Sequence, residues 1–200
     1  DEYLVVWRRM WTPGDGDIKA ALISGASGVV ISPPGVFTIS ATDEDQLRPA
    51  VATNQQNRYA VVWQQAAPGP CCDWDIRGQA VNHEGDLVGS PFTLAATTDD
   101  ETSPAISARA GSGLEYIVAW QRGRNTGEEI WAYHRKDQEI GVFNVASGAF
   151  WDHMHPAVAT GSIESLFVYE GDSQGNPTIH QHIYGRRWVP NVVYLPQMLR

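Results

Sequence analysis

A five-residue apolar strand ending in an aromatic occurs four times in this chain, and that repetition limits the folds available to it. The copies are Tyr3-Leu4-Val5-Val6-Trp7, Tyr59-Ala60-Val61-Val62-Trp63, Tyr116-Ile117-Val118-Ala119-Trp120 and the weaker Ser165-Leu166-Phe167-Val168-Tyr169. Their last residues are spaced 56, 57 and 49 apart. A fixed period of this size marks a repeat architecture and takes precedence over any local reading.

Two further markers keep the same register. Upstream lie Pro49-Ala50-Val51-Ala52, Pro104-Ala105-Ile106-Ser107 and Pro156-Ala157-Val158-Ala159. Their small side chains suit strands crowding around an axis, and proline is expected at the first strand position, where no ladder donor is lost. Downstream lie Asp17 to Ile23, Asp75 to Val81, Glu129 to Tyr133 and His182 to Arg186. Outer strands close the first three units at Val36 to Ser40, Pro91 to Ala95 and Ile140 to Ala146, and Asn191 to Tyr194 is the candidate in the fourth.

Four short strands recurring in about 50 residues predict an all-β chain, a β-propeller of four blades of four antiparallel strands. The blades run approximately over 1–46 plus 195–200, 47–101, 102–153 and 154–194, as a single domain over residues 1–200. The first blade lacks an innermost strand at its amino-terminal end. Pro196 to Arg200 falls where such a strand is due, so the two termini are expected to close the ring.

The pattern resembles repeats of large secreted or surface bacterial proteins, which read roughly Pro-Ala-Val-Ala-Tyr, then Tyr-Leu-Val-Val-Trp, then Asp-Ile-Tyr-Gly-Gln-Arg-Val. Residues 49–97, Tyr3 to Trp7 and Ile183-Tyr184-Gly185-Arg186 carry the resemblance most clearly. It implies a propeller in an extracellular setting and assigns no catalytic residues. The four-bladed outline is also similar to hemopexin-like domains, without the cysteine that ties their first and last blades. No secretory signal precedes the first strand, so a leader has been removed or the chain begins inside a larger protein.

The net charge of −9 and the presence of only two lysines, Lys19 and Lys136, argue against nucleic acid as a partner. No apolar run is long enough to cross a bilayer as a helix. The adjacent Cys71 and Cys72 are open to three readings: free thiols, a vicinal disulfide, or bonds to another chain.

Acidic turns precede the inner strands: Asp43-Glu44-Asp45, Asp99-Asp100-Glu101 and Asp152. Asp43, Asp45, Asp99, Asp100 and Asp152 would form a ring of carboxylates at one mouth of the axis, suited to Ca²⁺ with its six to eight oxygen ligands. His153 with His155, and His180 with His182, are spaced to share a strand face and present two imidazoles each. Trp7, Trp63 and Trp120 hold one repeated position and are expected between blades. Trp11, Trp74, Trp131, Trp151 and Trp188 break that register. Trp11, Trp74, Trp131 and Trp151, with Cys71 and Cys72, are the candidate ligand-binding residues, because an exposed indole stacks on a sugar ring.

No Gly-x-Ser-x-Gly motif occurs, the repeat associated with sialidases is missing, and the inner strands are read as carrying no carboxylates. The expectation is therefore a non-catalytic extracellular module, not an enzyme, that meets a protein or glycan partner. Two alternatives stand beside it: a lectin-like propeller, and a glycoside-active one using Asp43, Asp99 or Asp152.

Overall fold

The computed structural model describes residues 1–55, 58–69, 73–111, 115–124, 127–136, 139–148, 152–172, 181–189, 192–193 and 197–198. All of its regular structure is β. The first sheet holds β1 (Glu2–Thr12), β2 (Asp15–Ser24) and β3 (Val36–Ser40). The second holds β4 (Gln46–Thr53), β5 (Arg58–Ala66), β6 (Trp74–Asn82) and β7 (Leu87–Ala95). The third holds β8 (Asp100–Ala108), β9 (Glu115–Arg124), β10 (Gly127–Lys136) and β11 (Glu139–Ala146). The fourth holds β12 (His153–Thr160), β13 (Ser165–Asp172), β14 (Gln181–Val189) and β15 (Val192–Val193), with β16 (Gln197–Met198) also on β14. Every pairing is antiparallel between neighbours in sequence, except that of β16 with β14.

The expected repeat strands fall in their places, and the repeated aromatics explain how the sheets stack. Tyr59, Val61 and Trp63 project from one face of β5 into a core shared with Leu4, Ile18 and Leu22 of the first sheet. Ala60 and Val62, on the opposite face, join Tyr116, Val118 and Trp120 of β9. Ile117 and Ala119 in turn meet Phe167 and Tyr169 of β13. A strand's period of two thus gives each middle strand a bulky face toward the preceding sheet and a smaller one toward the next. The inner strands touch in succession, β4 with β8 and β8 with β12, and β4 also touches β1.

Two expectations about the inner strands are corrected. Each begins three or four residues before its proline, and Arg48, Ser103 and His155 adopt φ of 49°, 54° and 51°. Pairing skips from Leu47 to Ala50, from Thr102 to Ala105 and from Met154 to Ala157. The prolines sit in bulges inside the strands, where a missing N–H breaks no ladder. As a result β8 carries Asp100 and Glu101, so an inner strand does bear carboxylates.

Closure by the termini is not seen. Gln197 pairs with Gly185 and Met198 with Tyr184, which places β16 on the fourth sheet. Among the described residues the first sheet has three strands. Pro196, Leu199 and Arg200 lie outside the described residues.

Candidate functional site

Because alternate strands run in opposite directions, the starts of β4, β8 and β12 lie on one face of the molecule together with the ends of β5, β9 and β13. The acidic turns precede β4, β8 and β12 and so open onto that face. Each turn folds locally in a similar way. The Gln46 side chain, with its amide oriented to satisfy both ends, accepts from the Thr42 N–H and hydroxyl while donating to the Ser40 carbonyl. Glu101, at the matching position, accepts from the Thr97 N–H at 3.1 Å and from the Thr97 hydroxyl. His153 completes the series, its Nδ1 lying 3.2 Å from the Glu128 carbonyl oxygen.

Several carboxylates are engaged by arginine. Arg8 pairs with Asp45 at 2.7 Å. Arg122 pairs with Asp99 at 2.8 Å and reaches Glu101 at 3.8 Å, while its guanidinium lies 5.2 Å from the Trp131 ring centroid. Burial raises the Glu101 carboxyl above its ordinary range, opposed by the bonds from Thr97 and by Arg122. Asp75 is raised by burial too, with Arg77 opposing.

Glu128, at the start of β10, has a different setting. Burial, then Asp152 and Asp100, raise its carboxyl against a lowering hydrogen bond from Gln121. Its Oε2 is buried without a hydrogen-bond partner. The Glu128 N–H donates to Asp152 Oδ1 at 3.1 Å, fixing the strand start. Gly123 separates Glu128 from Asp100: a β-carbon there would stand 3.3 Å from Glu128 Oε1 and 3.4 Å from Asp100 Cβ. Glycine keeps the space between two carboxylates open. Sequence spacing did not single out Glu128, because it lies on a third strand and outside the acidic turns.

The other candidate residues distribute unevenly. Trp11 is exposed, donates to Asp17 Oδ2 at 2.7 Å and has the Arg9 guanidinium 3.7 Å from its ring centroid. Trp74 opens β6 on the acidic face and is half-buried. Trp131 packs on the core between the second and third sheets and donates to Glu129 at 2.7 Å, so it is less open than its broken register suggested. Cys71, Cys72 and Trp151 lie outside the described residues. Asp43 is exposed at the tip of its turn.

Among the described residues, no group of three or more His, Cys, Asp or Glu side chains is placed to hold a metal. The expected histidine pairing fails for a clear reason. The bulge after Met154 turns His155 outward toward Glu170, while His153 is buried against Tyr169 with its basicity lowered by desolvation. His180 lies outside the described residues.

No family model matches the chain, and no curated protein matches it. A solved structure of a GH43 endo-arabinanase from Bacillus licheniformis does match, with a TM-score of 0.50 and 11% identity over 94% of this chain and 68% of that one. That neighbour is a β-propeller of the five-bladed type. The chain has a β-propeller fold.

The comparison overturns the expectation of a non-catalytic module that is not an enzyme. That expectation joined the propeller fold to inner strands without carboxylates. A propeller of similar arrangement belongs to an enzyme, and β8 carries Asp100 and Glu101. At this identity the likeness establishes the fold, and any activity has to be argued from the carboxylates themselves.

Proposed function

We propose that the protein is a glycoside-active propeller working on an extracellular polysaccharide, with Glu128 as proton donor and Asp100 as the facing carboxylate. One observation carries the reading: a carboxyl held toward its protonated form by burial and by two acidic neighbours, with one oxygen lacking a donor, lies across a glycine gap from a second carboxylate. Glycoside cleavage needs this division of labour. One carboxyl must keep its proton for the leaving oxygen while the other, across the scissile bond, activates water or attacks carbon.

Asp152 serves as a positioning residue, because its carboxylate anchors the Glu128 backbone. His153 fixes the same segment through the Glu128 carbonyl. Trp11 and Trp74 stand on this face and supply flat surfaces for sugar rings. The endo-arabinanase with a similar fold makes arabinan the first substrate to try.

Turnover of arabinan and of a wider polysaccharide panel is the test. Glu128→Gln is expected to lower turnover by roughly 10²–10⁴-fold, the usual contribution of a positioned acid. The loss should be much smaller on aryl glycosides, whose leaving groups need little protonation. Wild-type activity should decline as pH rises through the elevated Glu128 range. Absence of turnover across the panel, or turnover unaffected by Glu128→Gln, refutes the assignment.

A further inference from the structure

The second and third sheets share one inner pairing. On β4 and β5, Ala50 lies opposite Val62, Val51 opposite Val61, Ala52 opposite Ala60 and Thr53 opposite Tyr59. On β8 and β9, Ala105 lies opposite Ala119, Ile106 opposite Val118, Ser107 opposite Ile117 and Ala108 opposite Tyr116. The fourth sheet repeats it with Ala157, Val158 and Ala159 opposite Val168, Phe167 and Leu166.

In the first sheet, β1 holds the position of β5 and β9. Its outer edge pairs with β2 along nearly its whole length. Among the described residues no strand pairs with its inner edge. Nor, among the described residues, does a sheet pack on the face of β1 that matches the Tyr59–Val61 face of β5: Tyr3 is 62% exposed and Val5 46%, whereas Tyr59 is 8% and Val61 0% exposed. At the other end of the array, Leu166 and Ile183 of the fourth sheet are exposed as well. A long edge strand with alternating apolar side chains is a template for another strand unless something covers it. A cavity of about 720 Å³ opens at its lower end, lined by Glu2, Tyr3, Thr53, Arg58 and Tyr59 among others.

We propose that the inner edge of β1 receives a fourth, innermost strand of the Pro-Ala-Val-Ala type, contributed by a further repeat sheet from polypeptide outside residues 1–200. The repeats fix its chemistry and register. It runs antiparallel to β1, with a small residue opposite Val6, a β-branched one opposite Val5, a small one opposite Leu4 and Thr or Ala opposite Tyr3. Small residues fit there because the equivalent inner strands, β4 with β8 and β8 with β12, pack against one another in succession. The turn leaving that strand occupies the cavity beside Tyr3 and Tyr59. The flank of the incoming sheet covers Tyr3 and Val5, as the first sheet covers Tyr59 and Val61.

A synthetic peptide copying Gln46 to Thr53 probes the edge in the 200-residue chain. Without peptide, the chain is expected to be monomeric, with β1 amides on the free edge exchanging rapidly. Millimolar peptide should slow those amides about tenfold or more, in proportion to its saturation of the edge. A peptide carrying Val51→Pro should leave them unchanged, since it cannot complete the ladder. No protection by the first peptide overturns the proposal. So does protection that rises with protein concentration alone, which assigns the edge to a second copy. Protection already complete in the monomer overturns it as well, by assigning the edge to the chain's own segment.

Discussion

Glu101 shows how one side chain is pulled between scaffold and charge. Its carboxylate closes the turn before β8 through Thr97, yet the side chain is fully buried and its proton affinity is raised by desolvation. A carboxyl whose pKa is higher folded than unfolded binds more protons in the folded state. Its stabilising contribution is therefore present at low pH and is lost as pH rises from the ordinary value through the raised one. Gln46 occupies the matching position with a neutral amide and the same acceptor geometry toward Thr42. Glu101→Gln should reproduce that arrangement. The melting temperature of the variant relative to wild type is expected to be higher at pH 8 than at pH 3.5, where both side chains are neutral; scanning calorimetry at the two values decides it. The buried His153 and the half-buried His134 act oppositely, since each has its basicity lowered mainly by desolvation, so their contribution is present near neutrality and lost as pH falls below about 6.5.

At the scale of the strand, the inner elements store a recurring distortion. Arg48, Ser103 and His155 each sit in the left-handed region directly before a proline, a conformation that costs of order 1–3 kcal/mol for a non-glycine residue. Neighbouring sheets hold it in place. Gln64 accepts from the Ser103 N–H at 3.0 Å, and Gln121, one repeat on, accepts from His155 N–H at 3.5 Å. Gln64 is buried, so Gln64→Ala strands a donor and should lower unfolding stability by about 1–3 kcal/mol, read from urea titration. Existence and order of these strands were legible in the sequence because the period-two pattern and the proline markers are strong. The bulges were not: Arg, Ser and His carry none of the Gly or Asn signal that marks positive φ, and the proline disguised a mid-strand position as a strand start. The same shift hid Asp100 and Glu101 from the inner strand. Glu128 escaped for another reason, since its proximity to Asp100 arises from the β9–β10 hairpin folding back over Gly123 and not from sequence spacing.

The whole molecule is a row of sheets in which each bulky strand face depends on the sheet before it. Stability should therefore vary strongly between chemically identical repeat positions. Val61 is fully enclosed by the first sheet, whereas Val5 at the matching position is 46% exposed. Removing two methyl groups from an enclosed valine forfeits about 1.5–2 kcal/mol at roughly 0.8 kcal/mol per buried carbon, with a cavity term in addition. A half-exposed valine whose surroundings can close up should lose less than about 0.5 kcal/mol. Val61→Ala and Val5→Ala, compared by denaturant unfolding in the 200-residue chain, are expected to differ by at least a factor of three in ΔΔG. If Val5→Ala costs as much as Val61→Ala, the Tyr3–Val5–Trp7 face is already covered in solution, by a second copy if the cost depends on protein concentration and by the row of sheets closing on itself if it does not. If the asymmetry holds, a version of the protein carrying a further repeat sheet should erase it, because the incoming sheet would bury Val5 as the first sheet buries Val61.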